Sequence, residues 1–374
     1  MKLSNRLTLA AALLMAPACG GGLDDAEPAI ARYVTLVRAS YGASVTSAES
    51  MSSAITAFVA APSEATLGVA RTAWLAARTP YGETEAFRFY EGPIDDADTG
   101  LEGQINAWPL DEVYIDYVQG STRAGMVNDA SIALSVDTLV AKNEAGGEKN
   151  IATGWHAIEF LLWGQDLSAS GPGARPATDY TTGLNAERRK TYLSLVNGLL
   201  LDDLRTVRGA WADGAAYPTA LLAEEPAEAL RKILTGIGSL AGAELSGERM
   251  TVAYDNKDQE DEHSCFSDNT HADLLANARG IQNVWLGKLG SDDGVGLDEL
   301  VAARDEALAT RVTGELAAAL AALEAIPQPF DQALSGADDA PGRVKVRAAI
   351  DALKACATSI GEVATLLGIT LNLE

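Results

Sequence analysis

Three histidines, three cysteines and an aromatic share of 6% make the chemistry-bearing side chains scarce in this 374-residue chain. Basic residues are scarce as well: 28 Lys and Arg face 52 Asp and Glu, a formal charge of −24. Such a surface repels phosphate backbones and attracts cations, which excludes nucleic acid as a partner. Strongly alternating strand patterns do not recur at regular spacing, while helix formers dominate, so the chain reads as all-α. Nothing in the composition marks disorder, and the length allows two domains with sizeable cores.

The N-terminus, MKLSNRLTLAAALLMAPACGGG, sets Lys2 and Arg6 before the apolar run Leu7 to Met15, followed by small residues up to Cys19. That is a secretory signal pattern, and the run is too short to span a bilayer. Ala16-Pro17-Ala18-Cys19 resembles a bacterial lipobox. Residues 1–18 are then a signal peptide, Cys19 the lipidated first residue, and 19–26 a tether with glycines at 20 to 22. Residue 20 is not Asp, which by resemblance to lipoprotein sorting places the anchor in the outer membrane, facing the periplasm. Cleavage at Ala-Pro-Ala without lipidation, releasing a free periplasmic protein, is the alternative. In that oxidising compartment Cys265 and Cys356 are an even pair: either a disulfide or two separate buried thiols.

Helical periodicity runs through 27–60 and through TLGVARTAWLAARTPYGETEAFRFY, where Leu67, Val69, Ala70, Ala73 and Trp74 supply an apolar face. Further helices are expected at 129–142, 149–164, 186–212, 218–253, 270–287, 297–324 and 342–366. The Gly-, Pro-, Ser- and Thr-rich stretch 167–183 is the boundary candidate. Two packed bundles follow, 27–170 and 184–374.

Two polar insertions carry the chemistry. In GWHAIEFLLWGQD, residues 154–166, His156 and Glu159 lie three apart and so share one helix face, inside a run with no wide polar side. A buried carboxylate needs a partner. The pair can satisfy each other across a helical interface, or serve as metal ligands, since imidazole and carboxylate suit zinc or iron. Ala157 follows His156 and position 160 is Phe, so the His-Glu-x-x-His mechanism does not apply. The second insertion, DNKDQEDEHSCFSDNTHADLL at 255–275, holds both other histidines, His263 and His271, among seven acids and Lys257. It lacks the glycine and late glutamate of an EF-hand. Thr270 with Asp273 reads as a capping box. A Cys265–His263 nucleophilic pair lacks an orienting third group.

Gly154-x-His156-x-x-Glu159 resembles the Gly-x-His-x-x-Glu signature of the imelysin-like family. Further similarity runs through RTPYGETEAFRFYEGPIDD (78–96), WPLDEVYIDYV (108–118), ELSGERMTVAYDNKDQEDEHSCFSDNTH (244–271) and GIQNVWLG (280–287), nearest to the iron-regulated branch of that family. The resemblance implies two bundle-like helical halves with a site in the cleft between them. It also implies either iron uptake or a zinc-dependent metallopeptidase activity. On the first, His156 and Glu159 anchor a metal, iron ahead of zinc, with Asp95, Glu248 or His271 contributing from other segments. Arg88 and Arg249 orient the carboxylates, and His263 and Asp268 support the site. On the second, Glu248 or Glu262 is the candidate base. The reading adopted is a periplasm-facing lipoprotein that binds iron at an interlobe site and serves iron acquisition with membrane transport partners. A metal-free module for a peptide or surface partner is the third possibility.

Overall fold

The computed structural model describes residues 22–168 and 170–373. The signal peptide and Cys19 lie outside the described residues. Eight helices carry the architecture: α1 (Glu27–Ala60), α2 (Glu64–Gly82), α3 (Gly154–Trp163), α4 (Ala186–Ala210), α5 (Pro226–Ser239), α6 (Thr270–Trp285), α7 (Glu306–Glu324) and α8 (Pro341–Leu366). Among the described residues the strands are confined to one hairpin, Lys288–Leu289 against Asp292–Asp293. The fold is all-α, as the composition requires.

Local chemistry explains the helix limits. Ser63 caps α2 reciprocally with Thr66: Ser63 Oγ accepts from Thr66 N at 3.2 Å, and Thr66 Oγ1 accepts from Ser63 N at 3.0 Å. The buried stripe of α2 is Leu67, Ala70, Trp74, Ala77 and Tyr81, at three- and four-residue steps. Val69, expected on that face, falls between the steps and is 59% exposed. Asn269 rather than Thr270 occupies the N-cap position of α6, and no side chain caps it. The expected capping box is therefore absent: Thr270 Oγ1 accepts from Ser264 N, and Asp273 turns into the core.

Helix α5 runs on into a π-helical segment, Leu240–Thr251. Its bonds reach back five residues, as in Val252 N to Gly247 O. That winding brings positions i and i+5 to one face, so Arg249 reaches Glu244 with Nε at 3.0 Å and Nη2 at 2.8 Å. Such segments interrupt helices at functional positions.

Packing does not divide at 167–183. Helix α4, expected in the second bundle, lies against α1 and α3. In the chain's second part, α8 packs on α7, α5 and the π segment, while α6 reaches across to α2. One apolar core runs from Ala26 to Ile369 through both groups. Cys265 and Cys356 are free, buried thiols, the second of the two alternatives that the sequence leaves open. They sit in different surroundings. Burial and the acids Glu159, Glu260, Glu262 and Glu112 push the Cys265 thiol up, whereas burial and Glu315 push Cys356 up to about 12.

Candidate functional site

All ten residues of α3 are buried. The helix starts where it does because Gly154 adopts φ +81°, and a Cβ there would lie 2.3 Å from Ile105 O. Only glycine meets both conditions. The first two turns then aim His156 and Glu159 inward. His156 Nδ1 stands 2.9 Å from Glu159 Oε2. Glu159 Oε1 accepts from Ser267 N at 3.0 Å and Ser267 Oγ at 2.7 Å. Both carboxylate oxygens are thus engaged, and Glu159 orients His156 instead of standing open as a ligand. His156 Nε2 is buried with no hydrogen-bond partner.

The facing group is His263, its ring 4.8 Å from that of His156 and inclined at 72°. His263 Nδ1 lies 2.9 Å from Asp273 Oδ2. Asp273 also accepts from Ser264 Oγ at 2.6 Å and Asn269 Nδ2 at 3.0 Å. Arg78 closes this wall, with Nη1 donating to Asn106 Oδ1 at 2.6 Å and Nε 3.3 Å from Asp273 Oδ1. Its guanidinium rests among Trp74, Tyr81 and Trp155, where cation–π attraction helps to hold it in the core.

A third layer is ionic. Arg249 donates to Glu85 Oε2 at 2.7 Å and to Asn277 Oδ1 at 2.6 Å, besides Glu244. Arg88 pairs with Glu85 at 2.8 Å and Glu102 at 3.1 Å. A cavity of about 210 Å³, lined by Arg88, Glu102, Trp108, Glu244, Arg249 and His263 among others, leads to the His263 side of the centre.

Environment sets the charges. Burial first, with Arg78 and His263 adding to it, drives the His156 pKa well below its ordinary value. Burial, Arg249 and Arg78 do the same to His263. Both imidazoles are therefore neutral at physiological pH. Burial raises Glu159 to about 8, with the Ser267 bonds offsetting only part of it. Glu85 experiences the same burial penalty, but Arg88 and Arg249 outweigh it and hold the carboxyl well below the usual range.

His156, Glu159, His263, Arg88 and Arg249 are thus brought together as expected, although the arginines orient Glu85, Glu102 and Glu244. The other expectations are corrected. His271 is a bracing residue, with Nε2 2.9 Å from Leu323 O and Nδ1 accepting from Gln328 at 2.8 Å. Asp95 closes a turn, accepting from Phe89 N and Gly92 N. Glu248 is exposed because the π winding turns Arg249 inward in its place. Among the described residues Asp268 and the Glu262 carboxylate make no hydrogen bond or ion pair with His156 or His263, whose carboxylate partners are Glu159 and Asp273; burial, with Asp166 and Asp331 adding to it, raises the pKa of both acids. Sequence reasoning missed Arg78, Glu85, Asn106, Ser267 and Asn277. The first two lie in RTPYGETEAF, one of the stretches carrying the family resemblance.

Against this geometry the comparisons are decisive for family. The imelysin family model, peptidase M75, matches residues 37–360. The chain belongs to the imelysin family. Iron-regulated protein A of Synechococcus elongatus is 26% identical over 333 residues, covering 86% of this chain and 80% of that protein. Two solved structures share the imelysin fold. One, described as an iron-regulated protein A precursor from Parabacteroides distasonis, has TM-score 0.73 and 21% identity over 94% of this chain and 97% of its own. The other, an imelysin-like protein from Psychrobacter arcticum, has TM-score 0.67 and 15% identity over 92% and 97%.

The donor set suits a metal in part. Two neutral imidazoles with one open nitrogen are good ligands, but Arg78 stands within 3.5 Å of His263 and contributes positive charge. Among the described residues no three His, Cys, Asp or Glu side chains already form a ligand group.

Proposed function

We propose that this imelysin-family chain is an exported lipoprotein, anchored through Cys19 in the outer membrane and facing the periplasm, that takes iron or a similar metal as cargo at the His156–His263 centre. It thereby serves iron acquisition beside a membrane transport partner. One observation carries this reading. His156 has its Nδ1 fixed by a carboxylate and its Nε2 buried without a partner. A metal-ligating imidazole is held in this manner, with the second nitrogen tied to a carboxylate that sets the tautomer. Below about pH 8 the Glu159 carboxyl holds its proton, so metal binding displaces it; with Glu159 then ionised, Nδ1 donates to it and Nε2 presents its lone pair. The curated relative's name adds a connection to iron, though it speaks of regulation by iron and names no ligand.

The test is a titration of the chain from residue 22 with ferrous iron, without oxygen, and with zinc, read by calorimetry and metal analysis. His156→Ala and His263→Ala are expected to abolish binding, and Glu159→Gln to weaken it by roughly 10- to 100-fold. Absence of binding by the wild-type chain defeats the reading. Fractionation of cells expressing Cys19→Ala tests the anchor, since the variant should leave the membrane fraction.

A further inference from the structure

A cavity of about 640 Å³ lies at the C-terminal end of α3, walled by the stretches 117–122, 163–168 and 172–176. Val118, Trp163, Leu167, Pro172 and Pro176 give it apolar walls, and the charged side chains in its lining are Arg175 and Asp166. Its volume is that of cavities which hold small organic ligands.

Arg175 is 4% exposed, and its polar atoms are only partly matched. Nη1 donates to Asp116 Oδ2 at 2.8 Å and to Asp179 Oδ2 at 3.2 Å. The guanidinium carbon lies 5.0 Å from the centre of the Tyr117 ring and 5.3 Å from that of Phe160, so cation–π attraction helps to fix its plane. Nε is buried with no partner, and Nη2 meets no acceptor among the described residues. These two nitrogens form one edge of the planar fork, the edge that a carboxylate fills with two parallel hydrogen bonds. Gly164 keeps it bare: a Cβ there would stand 3.3 Å from Nε and 3.7 Å from Nη2, and the residue holds φ +71°.

The neighbouring acids are engaged elsewhere. Asp116 accepts two more bonds from Arg189, at 2.6 and 3.0 Å, and Asp179 accepts from the Tyr117 hydroxyl at 2.5 Å. Asp166 is turned to Ser168 N at 2.8 Å. Arg71 adds positive charge behind the wall, because its guanidinium bonds the carbonyls of Leu162 and Arg175 rather than a carboxylate. A charged donor left buried without an acceptor is unfavourable, and a pair of ligand oxygens relieves it.

We propose that this cavity binds a carboxylate carried on an apolar body. The carboxylate closes the Nε–Nη2 edge of Arg175, and the body lies against Trp163, Val118 and the two prolines. The cavity shares no residue with the histidine centre, and the proposal does not depend on the function proposed there.

The experiment titrates the metal-free chain from residue 22 with 3-phenylpropionate, 3-phenylpropanamide and 3-phenylpropylamine by calorimetry, while NMR follows the backbone amides. The acid should bind at one site and shift the amides of Gly164, Gly173 and Gln119, with the neutral amide weaker by about tenfold or more and the amine weaker still. N-acetyl-alanyl-phenylalanine carries the same carboxylate on a peptide. Tighter binding of the small acid assigns the cavity to free organic acids, and tighter binding of the dipeptide assigns it to chain termini. Leu167→Glu, at a rim position 62% exposed, should keep the wild-type Tm and bind the acid about threefold or more weakly than Leu167→Gln. Arg175→Gln, which leaves Arg189 on Asp116, should bind acid and amide alike, with circular dichroism confirming that it is folded. The proposal is overturned if the acid does not bind saturably or the wild type holds acid and amide equally. Amide shifts confined to other parts of the chain, or equal affinities in the two Leu167 variants, overturn it as well.

Discussion

At the scale of the residue, two buried glutamates show how surroundings divide one chemistry into two states. Glu159 accepts only neutral hydroxyl and backbone donors at one oxygen and faces an imidazole at the other, so burial prevails and its pKa rises to about 8. Glu85 is as deeply buried, yet Arg88 and Arg249 hold it ionised. The raised value has a definite sign in stability. Between the unfolded pKa near 4.5 and about 8, the folded chain keeps a proton that the unfolded chain has released, so stability falls as pH rises through that window. The metal-free wild type should therefore lose more stability than Glu159→Gln between pH 4.5 and 8, by at most about 5 kcal/mol. Urea melts at a series of pH values measure the difference, and parallel profiles would refute it. Arg249 gives a second prediction. Arg249→Ala leaves Glu85 with one cation fewer in a buried setting and should cost about 3–5 kcal/mol. Arg249→Lys should recover little, because an ammonium cannot span Glu85, Glu244 and Asn277 together. Denaturant midpoints of the two variants check this. Rarity made His156, Glu159 and His263 legible in the sequence. Rarity could not separate His263 from His271, since which of the two enters the centre depends on how the 255–269 connection folds. Nor could it show Arg78, an ordinary helix residue until three aromatic rings surround it.

At the scale of the element, most helices were legible because their apolar periods are long. The failures have local causes. Val69 belongs to an apolar run that suggests the buried face, yet it is two residues from Leu67, an interval that turns it well round the helix into solvent. The π segment was unreadable, since a 3.6-residue period is assumed when 218–253 is read as one helix. It is this winding that points Arg249 inward and Glu248 outward. Gly154 was legible as part of a motif, but its reason appears only when α3 meets Ile105. Gly154→Ala must hold a side chain at φ +81° and also push Ile105 aside. A loss of about 2 kcal/mol or more is expected, together with a displaced His156. A thermal melt reads the first effect, and the ring resonances of His156 read the second. An unchanged Tm would mean that the backbone of α3 relaxes freely, contrary to its complete burial.

At the scale of the whole molecule, the Gly/Pro-rich stretch 167–183 looks like a domain boundary, but the structure gives α4 to the helices before it. Leu193, Val196, Leu200, Leu204 and Val207 of α4 are buried, and α4 packs on α1 and α3. Separating them from that packing would expose apolar surface worth on the order of 10 kcal/mol, comparable with the entire stability of a typical domain. The centre is divided in another way: Arg78, Glu85, His156 and Glu159 come from the earlier part of the chain, and Arg249, His263, Asp273 and Asn277 from the later part. Each group would be left with buried charges whose partners lie on the other. Fragments 22–183 and 184–373, expressed separately, should therefore each lack a cooperative thermal transition, whereas the joined chain melts in one step. Circular dichroism melts of the three proteins decide the matter. A sharp transition in either fragment near the Tm of the intact chain would show that the two helix groups are independent, and that the centre forms by docking of finished domains instead of by their joint folding.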